Sequence, residues 1–319
     1  MDLRALRYFQ FVAELRSFSK AAVQLRVAQP AVSRQVQKLE DELGVALFDR
    51  RRRGIELTAA GAILLQRARS LLGQVGQIVD EVRSHAGAIT GTVTIGAPPT
   101  IGDLILPSVL EECGRHHPGL VVEIVESSSP QLYERLLNNE LSLCILHNPQ
   151  PHREIEIESL LVDQLYLIGP GRETRGLRPV DETYDLESLP MILPRPPYNR
   201  RVVIDEICAA HGIELDVRLS VDGFTIIRAL VEQGFGYSIL SYYGIYEMCR
   251  DGRLSAVKLR NPSMSWMLAV ASRQDLAKSA AILEVKRLLY RSVQAVVDEG
   301  KWLGDPVYVA REAAAPGAR

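Results

Sequence analysis

The sequence predicts an α/β protein with an all-α head at its N-terminus. Apolar residues recur at helical spacing over the first 58 residues, one long amphipathic helix follows, and short apolar runs then alternate with amphipathic segments. The last pattern is typical of a parallel sheet covered by helices. The predicted units are the head at 1–58, a linker helix at 59–87, a first lobe at 91–167 and 267–300, a second lobe at 168–266, and a tail at 301–319.

Charge separates the head from the rest of the chain. Residues 1–58 hold 11 Lys or Arg against 7 Asp or Glu, a net +4, whereas the remainder holds 26 against 32, a net −6. A basic head on an acidic body fits a DNA-binding unit joined to a sensing unit. Because the chain has neither a long apolar span nor an apolar signal core, we expect a cytoplasmic protein without a membrane partner.

The first 44 residues predict three helices. The first spans roughly Leu3 to Arg16, the second is expected to take Ser19 as its N-cap, and the third starts at Pro30, where proline loses no helical hydrogen bond. The third helix has one apolar stripe that must be buried. That stripe comprises Val32, Val36, Leu39 and Leu43.

The opposite face of the third helix carries groups that read base edges and phosphates. Ser33, Arg34 and Gln37 share this face, which has the chemistry of a helix lying in the major groove. The alternative is an ordinary solvated face. That alternative loses weight because four consecutive arginines, 50–53, follow at the tip of a predicted hairpin, where a wing would reach phosphates or the minor groove.

Three segments carry a family resemblance: DLRALRYFQFVAELRSFSKAA, AQPAVSRQVQKLEDELGVALFDR and GIELTAAG. Together they resemble the winged helix-turn-helix of the LysR-type transcriptional regulators. Within that family, APPTIG, LLNNELSLCIL and NPSMS are most similar to the nitrogen assimilation control proteins. The resemblance implies two lobes like those of periplasmic binding proteins, joined by two crossover strands, with an effector cleft between them. It also implies a homotetramer, and RNA polymerase is a further candidate partner.

We therefore expect a sequence-specific transcription factor that binds double-stranded DNA. Arg34 with its polar neighbours is assigned to the groove, Pro30 and Ala31 to the helix start and thymine methyl groups, and the arginines of the wing to the backbone or minor groove. The assigned residues are Ser19, Gln29, Pro30, Ala31, Ser33, Arg34, Gln37, Arg50, Arg52 and Arg53. The alternative is a small-molecule sensor that acts through protein contacts instead of specific DNA.

A long helix capped by Thr58 and ending near Gly87 is predicted to join two chains. Its apolar residues step alternately by four and three, which is the seam of a coiled coil. The seam comprises Leu64, Ala68, Leu71, Val75, Ile78 and Val82. At 1.5 Å per residue the helix would reach about 40 Å, too far to bury the seam on a small head. A homodimer is favoured over packing against the chain's own body.

The body is predicted to contain two α/β units. Its strands are TVTIGAP, LVVEIVES, LSLCILHN, QLYLIGP, MILP, DVRLSV, YSILS and WMLAVAS, and its helices lie near 104–116, 131–138, 201–211, 225–232 and 276–297. Ligands of such sheets collect beyond the carboxyl ends of the strands, near helix N-termini, where hydroxyls and free N–H groups suit a small organic anion. The expected effector contacts are Pro99, Thr100, Ser127, Ser128, Ser129, His147, Arg195, Tyr198, Phe224 and Thr225.

Several of these residues have a purely structural alternative, and no catalytic site is expected. Ser129 and Thr225 could simply cap helices, and His147 could be a structural histidine. GFGYSIL lacks the glycine that follows the serine of a nucleophile elbow, no phosphate-loop or dinucleotide motif occurs, and the histidines do not have metal-ligand spacing. We expect no cofactor or metal. The four scattered cysteines read as buried apolar residues, with a redox-sensing pair as the alternative.

Overall fold

Three helices and a short hairpin form the head. The structure, a computed structural model, describes residues 1–49, 55–84, 89–171, 185–196, 198–277 and 279–306. The head elements are α1 (Leu3–Leu15), α2 (Phe18–Leu25), α3 (Gln29–Leu43), β1 (Phe48–Asp49) and β2 (Glu56–Leu57). The strands pair antiparallel, so the predicted three helices and hairpin are confirmed.

Two sequence predictions for the head are wrong, one on a helix cap and one on the buried stripe of α3. Ser17, not Ser19, caps α2: its backbone is extended and its side chain accepts a hydrogen bond from Lys20 N at 3.2 Å, which leaves Ser19 exposed in the first turn. The buried stripe of α3 ends at Leu39, because Leu43 lies at the end of the helix, beyond the core, and is 41% exposed.

The long helix α4 (Ala59–Ser84) begins as predicted, with Thr58 Oγ1 accepting from Gly61 N at 3.0 Å. Residues 85–88 lie outside the described residues, so its predicted end near Gly87 is not tested. Near its start α4 packs into the head core, where Ala68 is buried. Further along, Leu71 and Ile78 are 40% and 60% exposed.

Lobe 1 opens with a parallel sheet covered by helices. Its elements are β3 (Gly91–Ala97), α5 (Pro99–His116), β4 (Leu120–Glu126), α6 (Ser129–Leu137) and β5 (Leu143–His147), followed by β6 (Ile155–Pro170), which leads out of the lobe. β3 lies between β4 and β5, and both pairings are parallel. Consequently the carboxyl ends of all three strands lie on one edge.

Lobe 2 repeats this layout before the chain returns. Its elements are β7 (Met191–Leu193), α7 (Asn199–Ala210), β8 (Val217–Ser220), α8 (Phe224–Glu232), β9 (Ser238–Ser241), α9 (Tyr246–Arg250) and β10 (Leu254–Lys258). The chain then re-enters lobe 1 through β11 (Ser265–Arg273), α10 (Ala280–Asp298) and β12 (Gly304–Pro306). In the described part of the chain, no helix is both long and apolar enough to cross a membrane.

Two antiparallel crossover strands, β6 and β11, join the lobes, as the resemblance implied. β6 pairs with β11 as far as Gln164 and with β9 and β10 from Leu165 onward. The predicted strand at 164–170 is thus the second half of a 16-residue strand. The first half was not predicted as a strand because Glu156 and Glu158 give it a polar pattern. In the structure both carboxylates accept hydrogen bonds from buried Lys286.

The predicted tail from residue 301 is wrong for its first six residues. Trp302 is fully buried in the core of lobe 1, and Gly304–Pro306 pairs antiparallel with β6. Burial of the large apolar surface of an indole stabilises the fold. Amino-acid composition, from which the tail was predicted, does not show this contribution of a single residue. Residues 307–319 lie outside the described residues.

Candidate functional site

The polar face of α3 is open to solvent on the head surface. Gln29, Pro30, Arg34 and Gln37 are exposed, while Ala31 and Ser33 are partly exposed. The N-cap of α3 is Ala28, which has no side chain that could accept a hydrogen bond from the first turn. The N-terminus of α3 therefore keeps free N–H groups, which suit a phosphate, next to the side chains predicted to read bases.

The hairpin beside α3 is fixed to that helix by Glu40. This carboxylate is 8% exposed and accepts hydrogen bonds from the backbone N–H groups of Leu47 at 2.7 Å and Phe48 at 3.3 Å. The base of the wing is thereby held to the polar helix. The tip, with the predicted contacts Arg50, Arg52 and Arg53, lies outside the described residues.

A second candidate site is a cavity of about 310 Å³ between the two lobes. Eight of the ten predicted effector contacts line it, namely Pro99, Thr100, Ser127, Ser128, Ser129, His147, Tyr198 and Phe224. Arg195 and Thr225 do not line it. Thr225 is exposed on the first turn of α8, and Arg195 points to Asp222, with an Nη2–Oδ2 distance of 2.5 Å. The charge of Arg195 is therefore already neutralised.

Four helices begin at this cavity, two from each lobe. Their N-cap residues, which all line it, are Pro98 for α5, Ser128 for α6, Tyr198 for α7 and Gly223 for α8. None of the four has a side-chain hydrogen bond that caps its helix. The positive ends of four helix dipoles thus converge on one space, which favours negative charge there.

The side chains of the serines at the start of α6 do not cap this helix. Ser127 and Ser128 both donate to Gln131 Oε1, at 2.5 and 3.0 Å. Ser129 accepts a hydrogen bond from His147 N at 3.2 Å and so ties α6 to the end of β5. Neither Ser129 nor Thr225 therefore has the capping role that was the alternative to ligand contact.

Arg200, on the first turn of α7, is the cation that the sequence reasoning missed. It lines the cavity, and its Nε is buried without a hydrogen-bond acceptor among the described residues. It also forms no salt bridge with any described carboxylate, whereas the adjacent Arg201 pairs with Asp205 at 2.7 Å, one turn further on. Burial lowers the pKa of Arg200, but a guanidinium remains charged.

The wall behind Arg200 is built around a buried carboxylate. Trp266 Nε1 donates to Asp163 Oδ2 at 2.6 Å, and Trp302 Nε1 donates to Oδ1 at 2.9 Å. Burial raises the pKa of Asp163 to about 6 against the opposing effect of these hydrogen bonds. On the indole of Trp266 lies His147, with centroids 3.9 Å apart, and burial lowers the pKa of His147 to about 3, so the imidazole is neutral.

The described residues hold no group of three or more His, Cys, Asp or Glu side chains placed to bind a metal ion. All four cysteines are free thiols, and Cys113, Cys144 and Cys208 are buried while Cys249 is partly exposed. Burial raises the pKa of each thiol, most strongly at Cys144. A raised thiol pKa disfavours the reactive thiolate.

Comparison with family models matches both parts of the chain. Residues 3–62 match the model described as bacterial regulatory helix-turn-helix protein, lysR family. Residues 86–294 match the model described as LysR substrate binding domain. The two matches together cover the head, the start of the linker helix and nearly all of both lobes.

Individual relatives agree over almost the whole length. The HTH-type transcriptional regulator BbuR of Bordetella bronchiseptica is 32% identical over 97% of this chain and 95% of its own. The nitrogen assimilation regulatory protein nac of Escherichia coli is 28% identical over 95% and 99%. Among solved structures, full-length CbnR complexed with its target DNA is 26% identical, covers 92% of this chain and 100% of its own, and has a TM-score of 0.62.

Proposed function

The chain belongs to the LysR family of DNA-binding transcriptional regulators, and we propose that it regulates transcription in response to a small organic anion bound between its lobes. One observation carries the proposal: four uncapped helix N-termini face one cavity together with Arg200, whose buried Nε has no acceptor among the described residues. A buried N–H donor without an acceptor is costly, and an anion would accept a hydrogen bond from it as well as from the helix starts. Arg200 replaces Arg195 as the proposed counter-ion.

The proposed DNA contacts belong to two surfaces of the head. Arg34, with Gln29, Ser33 and Gln37, reads base edges in the major groove, and the wing arginines hold the backbone or minor groove. Arg34→Ala is expected to reduce the preference for specific over random DNA by about 1–3 kcal/mol. Lys38→Ala, which removes one positive charge a single turn further along α3, is the control and should weaken both DNAs equally. Equal losses of preference in the two variants would contradict the assignment of Arg34.

Selection of bound DNA tests the function as a whole. Purified full-length protein at physiological salt is incubated with random or genomic fragments, and the bound fraction is sequenced. An enriched, interrupted palindrome is expected, because two recognition helices related by a two-fold axis would contact successive turns of the DNA. Equal recovery of all fragments, together with complete loss of binding as salt is raised, would leave only electrostatic attraction and refute sequence-specific regulation.

A homodimer through α4 is the arrangement we propose for DNA binding. Leu71 and Ile78 lie on the predicted seam and expose apolar side chains that a second copy of α4 would bury. Leu71→Lys should weaken dimerisation at least tenfold in analytical ultracentrifugation. Ile63→Lys is the matched control, since Ile63 is 65% exposed on α4 but lies off the seam. A tetramer and contact with RNA polymerase remain expectations from the family resemblance.

A further inference from the structure

Residues 299–306, which follow α10, form a strap at the junction of the two lobes. The strap places the indole of Trp302 in the core of lobe 1, where it is fully buried. Its strand β12 pairs with β6 at Asp163 and at the two residues before it. β6 begins to pair with β9 of lobe 2 at Leu165, two residues beyond Asp163. The strap therefore lies next to the point where the chain passes from one lobe to the other.

Asp163 joins the strap to both crossover strands. It belongs to β6, its Oδ1 accepts a hydrogen bond from Trp302 Nε1 at 2.9 Å, and its Oδ2 accepts one from Trp266 Nε1 of β11 at 2.6 Å. Asp163 and Trp302 are fully buried, and Trp266 is 4% exposed. Breaking either hydrogen bond would leave buried polar atoms without a partner, which is costly. The two crossover strands and the strap should therefore move as one unit at this point.

Tyr243 connects this unit to lobe 2. Its backbone is held in lobe 2, because the next residue, Gly244, accepts a hydrogen bond from Arg228 Nη1 of α8 at 2.6 Å and packs closely against the ring of Phe224. The side chain of Tyr243 is nevertheless buried among the core residues of lobe 1. There its ring contacts the indole of Trp302, with ring centroids 4.4 Å apart. Lobe 2 thus inserts one aromatic side chain into lobe 1, and the strap packs against it.

We propose that the strap is a clamp that holds the two lobes at one angle. Two lobes joined by strands can rotate through changes in the backbone torsions of a few residues where the strands change partners. Trp302 opposes this rotation, because movement of lobe 2 would pull Tyr243 away from the indole or press it into the indole, and both rings lie in a close-packed core. The clamp goes beyond the proposed function and does not depend on the identity of an effector.

Distances between spin labels on the two lobes test the clamp. The labels are attached through Glu111→Cys on α5 and His211→Cys at the end of α7, two exposed positions, in full-length protein that also carries Cys249→Ser. An excess of unlabelled protein removes distances between subunits. Pulsed electron–electron double resonance should give one narrow distance distribution. In Trp302→Leu, which removes the indole, this distribution should become about twice as wide or wider.

Further variants distinguish a clamp from general loosening of lobe 1. Tyr243→Leu removes the same contact from the side of lobe 2 and should widen the distribution equally. Trp302→Phe keeps a ring and loses the hydrogen bond to Asp163, so it should give an intermediate width, and it decides the question if neither leucine variant folds.

Val285→Ala is the matched control, because Val285 is fully buried in the same core, on α10, and lies outside the strap. It should lower the melting temperature and leave the width of the distribution unchanged. A distribution that stays narrow in every folded variant of Trp302 and Tyr243 would overturn the clamp. Equal widening in Val285→Ala would overturn it as well.

Discussion

Removal of the Glu40 carboxylate should release the base of the hairpin from α3. In Glu40→Ala, the N–H groups of Leu47 and Phe48 lose their acceptor while both residues remain buried, at 1% and 4% exposure. Each unsatisfied buried donor costs about 1–3 kcal/mol, so the loss of two should destabilise the hairpin base by roughly 2–6 kcal/mol. Glu40→Gln keeps an acceptor oxygen and loses only the charge, so its cost should be about 1 kcal/mol.

Hydrogen–deuterium exchange of the peptide that contains Leu47 and Phe48 measures this cost. Because about 1.4 kcal/mol corresponds to a tenfold change, exchange in Glu40→Ala should accelerate by at least roughly 30-fold. Glu42→Ala is the matched control on α3, since the ion pairs of Glu42 with described residues, Lys38 and the N-terminus, lie at the surface. Its exchange should remain within a few-fold of the unmodified protein.

The same variants test whether the wing contributes to DNA affinity. A loosened hairpin base should weaken specific and random DNA together, because wing arginines are assigned to the sugar–phosphate backbone. If Glu40→Ala exchanges no faster than Glu42→Ala, the hydrogen bonds of Glu40 do not hold the wing. If exchange accelerates and affinity for both DNAs is unchanged, the wing does not contact the backbone.

Three further predictions concern the body. Tryptophan emission should change with pH with a midpoint near pH 6, and this change should disappear in Asp163→Asn. Because folding raises the pKa of Asp163, its contribution to stability is complete below about pH 4 and is lost as the pH rises through 6. Lys286→Ala should lower the melting temperature by several degrees in calorimetry, since Glu156 and Glu158 lose their buried counter-ion. Arg69→Gln should change energy transfer between dyes on head and lobe 1 without lowering the melting temperature measurably, and an unchanged transfer would deny that Arg69 sets their orientation.

Local patterns in the sequence were sufficient for the elements whose neighbours lie close in the chain. The stripe of Val32, Val36 and Leu39 specified which face of α3 is buried, because a helix repeats its contacts every three to four residues. The carboxyl-end rule likewise found most of the interlobe cavity, since it depends only on where each strand ends. Both predictions needed only local order and general topology.

Contacts between residues that lie far apart in the sequence could not be predicted in this way. Arg195 seemed to be the cation of the cleft because its partner Asp222 is 27 residues away, and no local pattern links them. For Arg200 the local sequence did contain a signal. Arg201 has an acid, Asp205, four residues later on the same helix, and the two form an ion pair. The residue four positions after Arg200 is Ile204, which cannot form such a pair. The role of Asp163 was not predicted because its partner Trp266 is 103 residues away. Asp163 itself lies in the first half of β6, which the sequence analysis did not identify as a strand.

The two faces of α4 indicate how the body could act on the head. Packing joins α4 to the head, whose core includes Leu64, Ala68 and Leu72. Towards lobe 1 the side chains of α4 make hydrogen bonds and ion pairs: Arg69 bridges Glu14 of the head and Glu140 of the lobe at 3.1 and 2.9 Å, with longer hydrogen bonds nearby.

Polar surface contacts separate at a cost of about 1 kcal/mol or less each, whereas a packed core does not separate without unfolding. The head and the first turns of α4 should therefore move as one body against lobe 1. A change in lobe closure would then reach the DNA-binding face by breaking or remaking the bridges of Arg69. Because these bridges lie partly exposed, raised ionic strength should weaken the coupling between cleft and head more than it weakens either fold.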